Sequence, residues 1–80
     1  MKKLSIVIPA KNEARNLEQF LPRLRDTMAA MSEEVECIVV DDGSSDDTAD
    51  ICRANDVEVI SHPYSKGNGA AIKTGARAAS

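Results

Sequence analysis

Apolar and polar positions along the chain fall into two alternating rhythms. Leu4-Ser5-Ile6-Val7-Ile8 is a short run rich in β-branched residues, stopped by Pro9, and reads as a buried strand. From Leu17 the period changes. Leu17, Leu21, Leu24, Met28 and Met31 recur at spacings of four and three, which marks one face of a helix. Asn12 is placed to cap that helix and Glu13 to favour its positive first turn, while Pro22 inside it should kink it or tighten one turn. Residues 35–40 are almost continuously apolar after Glu36, as a strand covered on both faces requires. Ser44 or Ser45 then caps a second helix, with Asp46 and Asp47 in its first turn and Asn55 at its end. Val57-Glu58-Val59-Ile60 reads as a third strand, His62-Pro63-Tyr64-Ser65 as a loop, and residues from about 69 to 79 as a third helix.

The order β-α-β-α-β-α with short connections implies parallel strands and right-handed crossovers. The predicted fold class is α/β in three layers, a three-stranded parallel sheet with alternating helices. Eighty residues make at most one small domain. The small-residue helical pattern still runs at Ser80 without a glycine cap or a breaker, so residues 1–80 are expected to form the N-terminal part of a larger, incomplete domain.

Charge sharpens this picture. The net charge is −3, yet residues 61–80 carry Lys66, Lys73 and Arg77 and no acid, which leaves −6 for residues 1–60. A bipolar cleft fits this split, and the overall negative sign disfavours bulk binding to nucleic acid or anionic membrane. Cys37 and Cys52 occupy apolar periodic positions without metal spacing, and read as small core side chains in a reducing, cytoplasmic compartment. Met1-Lys2-Lys3 before an apolar run faintly imitates a leader, but Pro9 and Lys11-Asn12-Glu13 interrupt it too soon.

Two stretches carry the candidate chemistry. Val39-Val40-Asp41-Asp42-Gly43-Ser44-Ser45-Asp46 ends a strand in two carboxylates and turns into a helix start. Lys66-Gly67-Asn68-Gly69-Ala70-Ala71 is a basic, glycine-rich helix opening. Both sit where open α/β sheets bind ligands, at the carboxyl ends of strands. Carboxylates accept base N–H or ribose hydroxyls, and glycine-rich loops meet phosphates. Adjacent strand residues point to opposite faces, so Asp41 and Asp42 cannot act as one pair. One is expected to face the crevice, and the other to brace a loop or the Ser44-Ser45 backbone. The glycine loop is neither a P-loop nor a dinucleotide fingerprint. His62 reads as a loop residue and Tyr64 as a half-buried loop anchor.

Together with Ser5-Ile6-Val7-Ile8-Pro9-Ala10 and Asn12-Glu13, and with Gly75 beyond the glycine loop, these blocks resemble family 2 glycosyltransferases of the Rossmann-like GT-A fold. The last block is most similar to the branch that moves sugars onto polyprenyl or dolichyl phosphate. The resemblance implies strand order 3-2-1 in the sheet and a nucleotide-sugar site, UDP- or GDP-linked. Pro9 and Ala10 would wall the base, Glu13 would meet base or ribose, Asp42 would hydrogen-bond the base with Asp41 nearby, and Lys66 and Gly67 would line the pocket. Lys11 stands where many relatives have an aromatic residue. The family's metal-binding Asp-x-Asp follows its fourth strand, and none occurs in these 80 residues.

The resemblance therefore implies a divalent metal, Mg or Mn, in the parent inverting transferase. No metal ligand and no catalytic residue is expected in these 80 residues, which should transfer no sugar alone. A polyprenyl phosphate is the expected acceptor, and a membrane-associated parent on the cytoplasmic face is compatible. A non-catalytic nucleotide-binding or receiver-like α/β module is the alternative. A receiver would place its acidic pair after the first strand, where Pro9-Ala10 stand. Finally, the strand from Leu4 to Ile8 would be a charge-free edge, so a homo-oligomer built on that edge is expected.

Overall fold

A computed structural model describes residues 3–31 and 34–79, with the backbone alone for Lys3. Met1, Lys2 and Ser80, where the leader-like start and the unfinished helix end fall, lie outside the described residues. The element order is β1 (Lys3–Ala10), α1 (Ala14–Ala29), β2 (Glu34–Asp42), α2 (Thr48–Ala54), β3 (Glu58–His62) and α3 (Asn68–Ala78). The strands form one parallel sheet with β2 central. That is the predicted order, and the apolar continuity of β2 follows from it, because Ile38, Val39 and Val40 are completely buried.

The pleat sorts β2 between two cores. Cys37 and Val39 pack with Leu17, Leu21, Cys52 and Val57 beneath α1 and α2. Ile38 and Val40 pack with Ala71, Val7 and Ile60 beneath α3. Asp41 continues the first phase and Asp42 the second, so the two acids leave the strand toward different helical layers. Both cysteines are free and buried, as expected, and desolvation raises both thiols, Cys52 to about 11.

Among the boundaries that differ from the sequence reading, three bear on the loops beside the sheet. β1 does not stop at Pro9, which pairs with Val40, while Ala10 pairs with Asp41. β1 has β2 on one side only among the described strands, and a proline whose missing N–H would point away from the partner is tolerated on such an edge. Asn12 does not cap α1. It adopts φ 53° and sends its side chain to the neighbouring loop, leaving Glu13 at the N-cap without a side-chain cap bond. The second helix starts at Thr48, after Asp47, and not at Ser44 or Ser45. Those serines are spent on Asn12.

The two loops at the carboxyl ends of β1 and β2 are tied side chain to backbone. Asn12 N–H donates to Ser44 Oγ at 2.8 Å, and Ser45 N–H donates to Asn12 Oδ1 at 2.8 Å. Glu13 N–H donates to Thr48 Oγ1 at 3.2 Å. Asp46 serves both helix starts, accepting from Ala14 N–H through Oδ2 at 3.2 Å and from Thr48 N–H through Oδ1 at 3.0 Å. The Thr48 hydroxyl also donates to Asp46 Oδ1. A single carboxylate thus meets orphan donors of two helices, the position where negative charge is most favourable. These bonds hold Asp46 below the usual carboxylate range, the Thr48 hydroxyl contributing most.

Candidate functional site

The three loops that follow β1, β2 and β3 meet at one end of the sheet, and Asp42 lies at their centre. Its side chain is 5% exposed. Oδ1 accepts from His62 Nδ1 at 2.8 Å and from Lys66 N–H at 2.8 Å. Oδ2 accepts from Ser65 Oγ at 3.0 Å and from Gly67 N–H at 2.9 Å. A carboxylate offers about four lone-pair directions, and all four are used within the chain. His62 is the strongest of the influences that hold Asp42 far below the usual carboxylate range. Lys66 N–H follows, and burial opposes them.

Two glycines make this closure possible. Gly43, at φ 75°, lies directly under the third loop. A Cβ there would stand 2.6 Å from Ser65 N and 2.7 Å from the Tyr64 carbonyl carbon. Gly67, at φ 95°, takes the chain from the loop into α3 in a conformation that L side chains rarely adopt, while its N–H and that of Lys66 converge on one carboxylate. Those two donors are therefore committed to Asp42. The first-turn N–H groups of α3, at Asn68, Gly69 and Ala70, precede the first intrahelical bond, from Ala71 N–H to Gly67 O.

The other expected site residues are dispersed around this centre. Asp41 is buried and braces its own loop, as one of the two acids was expected to do. Oδ1 accepts from Ser44 N–H at 2.9 Å and Oδ2 from Ser61 Oγ at 3.4 Å. Pro9 is half-buried in β1, and Ala10 is buried in the core beneath α1 and α2. Glu13 is half-buried at the start of α1, where Oε2 accepts from Asn16 Nδ2 at 2.7 Å. Lys66 is exposed, with Nζ 5.4 Å from the centroid of the Tyr64 ring. Tyr64 is itself 65% exposed, not half-buried as its loop position suggested.

His62 and Thr74 were missed as site residues. His62 is not a free loop side chain. It is the buried last residue of β3, paired with Asp42, and its Nε2 lies 2.9 Å from Thr74 Oγ1 on α3. The phase of β3 holds a signal for it, since His62 continues the inward side of Ile60. Thr74 shares a helical face with Ala71 and Gly75, both of them buried.

Among the described residues no three His, Cys, Asp or Glu side chains lie together as metal ligands. Asp41 and Asp42 depart toward opposite layers, with their oxygens already engaged by N–H and O–H donors. This donor set does not fit a divalent ion. A cavity of about 300 Å³ lies far from these loops, toward the opposite end of the sheet, bounded by Leu24, Met28, Cys37 and Val57.

Comparison with known proteins agrees with this arrangement. The chain is 43% identical over 61 residues to the 4,4'-diaponeurosporenoate glycosyltransferase of Staphylococcus haemolyticus, a match covering 76% of this chain and 15% of that protein. It is 43% identical over 54 residues to the undecaprenyl-phosphate 4-deoxy-4-formamido-L-arabinose transferase of Serratia proteamaculans, covering 68% and 17%. The chain thus spans about a sixth of these relatives. Glucosyl-3-phosphoglycerate synthase of Mycobacterium tuberculosis, solved with Mn2+, UDP and its product, superposes with a TM-score of 0.80 at 30% identity, over 99% of this chain and 30% of that one. The mannosyltransferase PcManGT of Pyrobaculum calidifontis, solved with GDP-Man and Mn2+, gives 0.85 at 23% identity over 96% and 24%, a likeness of fold. The GT-A, Rossmann-like expectation for the sheet and its helices therefore holds. The family described as glycosyl transferase family 2 matches residues 5–80, and the chain belongs to it.

Proposed function

We propose that this chain supplies the nucleotide-recognition part of an inverting transferase. That enzyme would take a sugar from a UDP- or GDP-linked donor and pass it to a polyprenyl phosphate. One observation carries the reading. The three blocks shared with the family converge at the carboxyl end of one parallel sheet, where Asp42 and Lys66-Gly67 are in direct contact. Pro9 and Glu13 would border the base and ribose, with Ala10 and Asp41 supporting them from beneath. Asp42 would accept a base N–H. The Lys66 ammonium and the first turn of α3 would meet the diphosphate. The relatives named for undecaprenyl phosphate support the acceptor class. Such an acceptor is already anionic and needs no general base to become a nucleophile. The Mn2+ in similar solved structures supports a divalent ion in the whole enzyme, where it would neutralise the leaving diphosphate. Among the described residues no group of three His, Cys, Asp or Glu side chains is placed to hold it.

Two further parts of the reading concern setting. Free, buried Cys37 and Cys52 support a reducing, cytoplasmic location, and no helix among the described residues is long and apolar enough to cross a membrane. Among the described strands β1 has a neighbour on one side only, and Leu4 is 43% exposed, which supports pairing of this strand with its copy in a homo-oligomer. Light scattering at high concentration checks that association, and a monodisperse monomer would contradict it.

The site is tested by NMR titration with UDP and GDP. Amide shifts are expected at Glu13, Asp42 and Lys66. Shifts confined to the cavity beside Met28 would refute the assignment.

A further inference from the structure

Asp42 is asked to do two things. All its acceptor sites are filled by the third loop and His62, yet the donor site proposed above needs it to accept from a nucleotide. The two demands are compatible only if some of those bonds exchange. The geometry separates them into two groups. On the Oδ1 side stand His62 Nδ1 and Lys66 N–H. His62 is 8% exposed and is held from behind by Thr74 on α3. The Oδ2 side is closed only by Ser65 and Gly67, both exposed residues of the loop. The tautomer is set as well. An ionised carboxylate only accepts, so His62 carries its proton on Nδ1, and in the neutral ring the Thr74 hydroxyl donates to Nε2.

We propose that His62 and Thr74 are positioning residues of the nucleotide site. They hold the Oδ1 side of Asp42 fixed while the Oδ2 side passes from Ser65 and Gly67 to an N–H or O–H donor of the nucleotide. Nucleotide binding and release of Ser65 Oγ and Gly67 N–H from Oδ2 are then one event. Gly67 N–H loses its acceptor as the ligand arrives and is left open to solvent. The inference rests on the donor-site reading and adds the order in which its bonds are made and broken.

Amide hydrogen exchange and the ring 15N signals of His62 test it, with UDP and GDP as probes. In the free protein, Lys66 and Gly67 amides should both be protected and the ring should show the Nδ1–H form. At saturating nucleotide, Gly67 exchange should rise about ten- to a hundredfold, the factor carried by one hydrogen bond to a charged group, while Lys66 keeps its protection. Thr74→Val should loosen the ring signature and weaken nucleotide binding about tenfold, and Thr74→Ser should restore both. Greater protection of Gly67 on nucleotide binding would overturn the exchange, and an unaltered ring signature in Thr74→Val would overturn the positioning. If Thr74→Val does not fold, the wild-type Gly67 measurement still decides. Failure of the donor site looks different. Neither nucleotide would then shift any amide of the wild type, and the exchange would fall with it, while ring and exchange data on the free variants would still report on His62.

Discussion

Gly75 sets how closely α3 can approach the sheet, and its replacement by alanine sets two effects of opposite sign against each other. In an isolated helix Gly→Ala is favourable by about 1 kcal/mol. Here the new Cβ would stand 2.2 Å from Val7 Cγ1, 3.1 Å from Cγ2 and 3.2 Å from Cβ. Val7 is half-buried on β1 and, being β-branched, is stiff at χ1, so it yields only by leaving its rotamer or by α3 withdrawing. Overpacking of this kind costs about 1–3 kcal/mol, and a contact this short belongs at the upper end. The net expectation is a loss of about 2 kcal/mol, or about 8–16 °C in melting temperature for a domain of this size. Val7→Ala removes both γ carbons. In that background only the 3.2 Å approach to the Cβ of residue 7 remains, which a few tenths of an ångström of movement in α3 relieves, so Gly75→Ala should become stabilising by up to about 1 kcal/mol as helix propensity prevails. The sign reversal amounts to a coupling of up to about 3 kcal/mol, well beyond what independent sites show. Urea unfolding of the four proteins, followed by far-UV circular dichroism, measures it. Stabilisation by Gly75→Ala in the wild-type background, or a coupling below about 0.5 kcal/mol, would refute the reasoning. The neighbouring bond gives a second readout, because a displaced α3 lengthens the 2.9 Å contact from Thr74 to His62.

Other expectations follow from the loops. Gly43→Ala should cost about 1–3 kcal/mol from its positive φ alone, and should also strip protection from the Lys66 and Gly67 amides, because the added Cβ collides with the Tyr64-Ser65 backbone; protected amides in that variant would contradict it. Asn12→Ala should cost about 1–2 kcal/mol through loss of its bonds to Ser45 and of its tolerance for φ 53°, and Asn12→Gly should recover the backbone part when both are compared by urea unfolding. Asp42 and Asp46 both titrate below their unfolded values, so the stability they contribute is present above about pH 4 and drains as pH falls through their folded values. The urea midpoint should therefore drop from pH 4 toward pH 2, with a shallower slope in Asp42→Asn; a midpoint that rises on acidification would refute this.

Much of this was legible in residue pattern. The parallel direction of the strands, the burial of β2 and the divergence of Asp41 and Asp42 follow from alternation and period, which act over a few residues. What escaped depends on contacts between distant segments. Pro9 looks like a stop until its pairing with Val40 on the neighbouring strand is known. Ser44 and Ser45 look like caps, and Asn12 like another, because each is well placed locally. Their actual partners are each other, more than thirty residues apart. His62 looked idle because its partners, Asp42 and Thr74, are brought to it by β2 and α3. The carboxylate was foreseen as a ligand contact, and its saturation by the chain's own loop could not be, since no short-range pattern specifies which N–H groups reach it.

The shared use of Asp46 has a consequence for how the chain opens. One carboxylate completes the starts of α1 and α2, and Asn12 joins the same two loops. Neither helix start can fray without orphaning donors in the other, so the residues around 12–14 and 44–48 form one cooperative unit of local unfolding, although a helix and a strand separate them in sequence. Closing that unit requires two βα turns to be in place together. Its order is therefore a property of the paired units and not of either alone, and an insertion in one loop would be felt as mobility in the other.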